Sequence, residues 1–246
     1  MFTPFAFVKS AAVAAPVIPT SGLIAWYDAN DYTSGATWTD KSGNGNNLTL
    51  NSTYSKNTTY GPTIFFNGGW GSKSGVSGWS ATTDVTYIEI IRPTVATNFV
   101  ASWSLTGTNQ VTGFQFGGTS LIYTWRGGDT GWYLNTPTYG TTKTTFVARR
   151  FSSGFNNTGD SLVVDYADTS AISLTKYGSG NFSLGRAGGT TYSLGGSVTI
   201  IVGAAETNTT YDMPGYYGVV AIYNRILTDQ EITDVYDAYK TTYSLL

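Results

Sequence analysis

The stretch Gly218-Val219-Val220-Ala221-Ile222-Tyr223-Asn224-Arg225-Ile226-Leu227-Thr228-Asp229-Gln230-Glu231-Ile232 decides the fold. The run Tyr217–Tyr223, β-branched and aromatic, predicts a strand. Thr228 and Glu231 then form a capping-box pair. Ile232, Val235, Tyr236 and Tyr239 follow at i, i+3, i+4 and i+7, which predicts a single helix from about Asp229 to Tyr239. A lone amphipathic helix after the last strand packs on a sheet or plugs its edge.

Upstream, short apolar runs alternate with Gly, Asn, Ser and Asp clusters, the pattern of many strands and turns. Strands are predicted at Leu23–Asp28, Thr63–Phe66, Val85–Ile91, Phe99–Leu105, Thr112–Phe116, Leu121–Trp125, Gly131–Asn135, Thr144–Phe151, Ser161–Tyr166, Asn181–Gly185 and Val198–Ala204 as well as Tyr217–Tyr223. So many short runs call for two stacked sheets. Between Val85 and Ile91 the apolar residues do not alternate with polar ones, as expected of a central strand covered on both faces. With 41% hydrophobic, 15% aromatic and only 11% charged residues, and 30 Gly in 246, the composition is that of one large β domain. The expected organisation is an apolar arm over 1–20 followed by a sandwich over 21–246.

The quoted C-terminal stretch resembles the hallmark of the concanavalin A-like, laminin-G-like superfamily, in which a strand ends in Tyr-Asn-Arg, a Leu-Ser/Thr turn follows and Glu-Ile begins a short helix. The opening is similar too: Gly22-Leu23-Ile24-Ala25-Trp26-Tyr27-Asp28-Ala29, then Trp38-Thr39-Asp40-Lys41-Ser42-Gly43-Asn44-Gly45-Asn46-Asn47-Leu48, and later Leu184-Gly185-Arg186. The resemblance implies an all-β, two-sheet antiparallel jelly-roll sandwich (concanavalin A-like) with one short C-terminal helix. Domains of this kind stand on phage, virus and bacterial surface proteins.

The chain has no His and no Cys, which removes imidazole bases, thiolate nucleophiles and nearly every transition-metal site. The net charge of −2 offers no basic patch for phosphates, so nucleic acid is excluded as a partner. Some relatives in the resembled superfamily are β-glucanases that place paired carboxylates on one strand through Glu-x-Asp-x-x-Glu; Glu89, Glu206 and Glu231 stand in no such motif. The expectation is therefore a chain that is not an enzyme. Many laminin-G-like domains bind Ca²⁺; here Asp28, Asp31, Asp40 and Asn44 form the nearest set, and they read equally as turn formers. No other cofactor is expected. Trp70, Trp79, Trp125, Trp132 and Tyr133 lie in Gly-rich surroundings and suit three roles: a glycan platform, sandwich core, or a subunit contact.

Residues 1–20 carry Phe2, Phe5, Phe7, Val17 and Ile18, one charge at Lys9, and prolines at 4, 16 and 19. They fit neither a signal peptide nor a membrane span. The expectation is an assembly arm that docks on its own domain, on other copies or on other virion proteins. The first functional expectation is thus a non-enzymatic virion structural protein, such as a minor capsid, decoration, spike or tail component of a bacteriophage, placed at the virion surface. The alternative is a carbohydrate-binding module for host or surface glycan attachment, extracellular or on a cell surface.

Overall fold

The computed structural model describes residues 18–79, 84–95, 100–107, 110–116, 121–126, 130–135, 143–152, 161–169, 172–180, 197–204 and 212–245, with the strands from 100 to 135 described by backbone alone. In chain order they form β1 (Leu23–Asp28), β2 (Thr37–Trp38), β3 (Leu48–Asn51), β4 (Tyr54–Asn57), β5 (Thr63–Phe66), β6 (Trp70–Ser74), β7 (Val85–Pro93) and β8 (Val100–Gly107). Then follow β9 (Gln110–Phe116), β10 (Leu121–Arg126), β11 (Thr130–Asn135), β12 (Thr145–Ser152), β13 (Ser161–Asp168), β14 (Ile172–Gly180), β15 (Thr199–Val202), β16 (Gly215–Tyr223) and α1 (Asp229–Tyr239). The expected strand Asn181–Gly185 and most of the expected arm, with Phe2, Phe5, Phe7 and Val17, lie outside the described residues.

The strands make two antiparallel eight-stranded sheets. The first runs β14-β13-β12-β7-β16-β5-β4, with β1 also on β16; the second runs β11-β10-β9-β8-β15-β6-β3-β2. This is the all-β sandwich the sequence predicts. One edge of β16 is shared: its first residues, Gly215 to Tyr217, pair with β5 and its last residues with β1. The changeover is a register shift between Tyr217 and Val219, a bulge at Gly218.

Side-chain alternation explains the layers. In β7, Val85, Tyr87 and Ile91 enter the core between the sheets, while Ile88 and Ile90 enter a second core on the outer face. β12 and β16 divide in the same way, with Val147, Val220 and Ile222 inward and Phe146, Ala148, Ala221 and Tyr223 outward. The outer core exists because α1 lies on it through Ile232, Val235, Tyr236 and Tyr239. That is why β7 reads as apolar on both sides. The capping box forms as expected, with Thr228 accepting from the Glu231 amide and the Glu231 carboxylate accepting from the Thr228 amide. Ile18, from the expected arm, is buried in this outer core near the helix. No described helix is long and apolar enough to cross a membrane.

Candidate functional site

The set proposed for Ca²⁺ divides into two groups that meet through Trp26 and Lys41. Asp40 is buried and its two oxygens are taken: Oδ1 accepts from the amides of Trp26 and Ser42, and Oδ2 from the Ser42 hydroxyl and the Asn46 amide, all within 2.8–2.9 Å. Asn44 donates to the Leu23 and Ile24 carbonyls. Asn46, wholly buried, donates to Ile24 and Ser77 and accepts from the Ser77 amide. Gly43 and Gly45, at φ +89° and +72°, give the chain the left-handed steps this requires. The turn is thus held by its own hydrogen bonds. Asp28 instead accepts from the Asn30 amide and the Tyr239 hydroxyl, and Asp31 pairs with Lys41, whose ammonium lies over the Trp26 ring. Among the described residues no three His, Cys, Asp or Glu gather to hold a metal ion.

The proposed aromatic platform is not one surface either. Trp79 is 8% exposed and packs in the inter-sheet core with Val76 and Leu48, which corrects its reading as a ligand-facing ring. Trp70 opens β6, half-buried, opposite Asn51 of β3. Trp125, Trp132 and Tyr133 stand in the hairpin of β10 and β11, where Trp132 pairs with Thr124 and Tyr133 with Tyr123; their side chains lie outside what is described.

A different aromatic surface lies on the outer face of the first sheet. In β5, Ile64 and Phe66 enter the core, so Phe65 faces out; in β16 the inward Tyr217 leaves Tyr216 outward. Strand register aligns Arg92 of β7, Tyr216 of β16, Phe65 of β5 and Ser55 of β4 in one row. Phe65 and Tyr216 stack with centroids 4.6 Å apart, and Tyr60, from the turn before β5, meets Tyr216 edge-on at 4.9 Å. The Arg92 guanidinium lies 3.8 Å from the Tyr60 ring centroid. All four side chains are half-buried. Beside this row the outer face lies under α1 and the chain after it, where Tyr243 sits on Gly218 and Gly61 and donates to the Pro62 carbonyl. The row begins where that cover stops. Sequence reasoning placed Phe65 in the strand Thr63–Phe66 and did not reach Tyr216, since the expected last strand began at Tyr217; the available signal was the two adjacent Phe residues at 65 and 66, which a strand must send to opposite faces.

Charged groups elsewhere are used structurally. Glu89, the one acid in the strand Val85–Pro93, meets Arg149 of β12 at 2.8 Å, both fully buried between the sheets. Arg150 faces the other way, forks onto both oxygens of Asp165 and reaches Asp229 in the first turn of α1. Arg225 grips Glu231, and its hydrogen bonds hold that carboxyl down at about 2. Beside α1, Ser173, Leu174, Thr233, Tyr236, Asp237 and Lys240 line much of an open groove of about 670 Å³.

No family model matches the sequence, and no curated protein matches it. Solved structures do. A Trypanosoma rangeli sialidase in complex with sialic acid superposes with a TM-score of 0.60 at 14% identity, over 94% of this chain and 36% of that one. Domain 4 of AbnA, a GH43 extracellular arabinanase from Geobacillus stearothermophilus, in complex with arabinotriose, matches with a TM-score of 0.56 at 16% identity, over 87% of this chain and 97% of that one. An HCR/D W1238A mutant matches with a TM-score of 0.52 at 11% identity, over 89% and 51%. This chain spans about a third of the sialidase's length, and the likeness is one of fold. It corrects the expectation of a chain set apart from enzymes: the first two matches are, by name, a sialidase and a domain of an arabinanase, so missing His, Cys and paired carboxylates do not justify that separation.

Proposed function

We propose that the chain is a carbohydrate-binding module of the concanavalin A-like, laminin-G-like sandwich class, and that the glycan docks on the row formed by Arg92, Tyr216, Phe65 and the overlying Tyr60. The observation that carries this reading is the half-buried ring cluster on the outer sheet face beside the part that the helix covers. Aromatic rings give the C–H faces of sugars an apolar partner, and their hydroxyls remain at the wet edge. Adjacent strands stand ~4.8 Å apart, so two neighbouring aromatic positions match the width of one sugar ring. The sialic acid and arabinotriose of the matched structures support the ligand class, and favour it over the virion-assembly reading. Such a module would work outside the cell, on a cell or particle surface.

The test is affinity electrophoresis of the full chain through gels containing soluble polysaccharides, with calorimetry on those that retard it. Retardation by at least one polysaccharide, relieved by Tyr60→Ala, is expected. Mobility unchanged by every polysaccharide tried would remove the proposal.

A further inference from the structure

We infer that the ligand of this face is an acidic glycan, whose sugars carry carboxylates, and that Arg92 receives the carboxylate; this rests on the carbohydrate reading above. Four arginines have described side chains, and three of them already face carboxylates: Arg149 with Glu89, Arg150 with Asp165 and Asp229, Arg225 with Glu231. The Arg92 guanidinium makes no ion pair or hydrogen bond with another described residue; it lies over the Tyr60 ring.

That contact leaves the group ready for use. A guanidinium lying over an aromatic ring spends its face on the ring and keeps its in-plane N–H donors, which point outward as a fork. The ring also restrains a long side chain, so less freedom is lost on binding. The fork matches the two oxygens of a carboxylate, and such a charge-assisted pair is roughly twice as strong as a bond to a neutral hydroxyl. Arg92 is the direct register partner of Tyr216, so a sugar held against the outer edges of the stacked Tyr216–Phe65 pair has its substituents about one strand spacing from the guanidinium. The protein's net charge of −2 provides no general attraction for polyanions, so recognition must be local.

The experiment uses the full chain and four soluble polymers: polygalacturonic acid, its methyl ester, a homopolymer of sialic acid, and neutral arabinan. Binding is measured by calorimetry for the parent, Arg92→Gln and Arg92→Lys, with near-ultraviolet dichroism to check the fold. The expected result is that one acidic polymer binds at least ~10-fold tighter than arabinan, and that Arg92→Gln abolishes this preference while Arg92→Lys restores part of it. Comparing uronate with sialate identifies the source of the carboxylate. If polygalacturonate is the ligand, its methyl ester, with the same ring and linkage, should bind ~10-fold more weakly; this holds even if the Arg92 variants fail to fold. Equal binding of neutral and acidic polymers would overturn the inference and leave the carbohydrate reading standing. An acidic preference that survives in a folded Arg92→Gln would also overturn it. Binding to none of the four would overturn the inference; the carbohydrate reading falls with it only if the gel polysaccharides also leave mobility unchanged.

Discussion

The Arg149 guanidinium and the Glu89 carboxylate meet at 2.8 Å between the two sheets, and neither is exposed to solvent. They come from neighbouring strands, Arg149 standing opposite Tyr87, two residues along from Glu89. The low-dielectric surroundings make each charge depend on the other. Removing one, as in Glu89→Gln or Arg149→Met, should cost ~3–5 kcal/mol. Replacing both together with Glu89→Leu and Arg149→Met should cost much less than the sum. Urea denaturation of the four proteins, read as a double-mutant cycle, measures this; additive losses would mean the pair is not coupled.

Acid stability should depend on Glu231. Its bonds from Arg225 and the Thr228 amide hold its pKa at about 2, below the ordinary 4.5. The folded state therefore prefers the charged form. The contribution is complete above about pH 4.5 and disappears as pH falls through about 2. Glu231→Gln keeps a capping side chain but loses the charge, so its melting curve should flatten over that window while changing little in helix content. Thermal melts from pH 2 to 6 test this; a parallel decline of both proteins would place the acid sensitivity elsewhere.

Gly218 should tolerate no side chain. A Cβ there would lie 2.5–2.6 Å from the Tyr243 ring and hydroxyl. Gly218→Ala should destabilise by ~1–3 kcal/mol, the range for overpacking. In the double variant with Tyr243→Ala the added cost of the methyl group should largely vanish, since the atoms it meets are gone. Chemical denaturation gives the coupling; independent effects would mean that Tyr243 yields freely.

The turn after β2 should behave as a hydrogen-bonded unit. Asp40→Ala would strip acceptors from the amides of Trp26, Ser42 and Asn46 at once, and should cost at least ~3 kcal/mol. Asp40→Asn, which keeps one carbonyl oxygen, should cost less. Because both Asp40 oxygens are already engaged, a calcium chelator should leave Tm unchanged. A chelator-induced drop that is abolished by Asp40→Ala would show instead that the turn holds a cation.

What was legible in the sequence was local. The helix Asp229–Tyr239 could be read to its ends because its cap and its apolar stripe lie within a dozen residues. The strand at Val85 gave away its double burial because both parities are apolar. β4, Tyr54-Ser55-Lys56-Asn57, was missed because an edge strand needs no apolar run. β14 was missed because Ile172-Ser173-Leu174 alternates too briefly to stand out until it is paired with β13. Arg149 could not be assigned to Glu89, since their meeting depends on register between strands far apart in the chain. The row of Arg92, Tyr216 and Phe65 was invisible for the same reason: three residues from three strands become neighbours only when β16 lies between β7 and β5. Tryptophans in Gly-rich runs drew attention by type, yet Trp79 went inside.

The pairing of β1 with β16 also sets a schedule. Leu23 finds its partner at Tyr223, about 200 residues later. A ribosome adding roughly 5–20 residues each second would keep β1 waiting some 10–40 s for that strand. The Trp26 indole and the Asp28 carboxylate wait longer still, for the Tyr239 hydroxyl that joins them. The 40–46 turn engages one side of β1 soon after it is made, while the edge that β16 will take stays open, so successful production should depend on chaperone occupancy and elongation rate more than on the finished domain's strength.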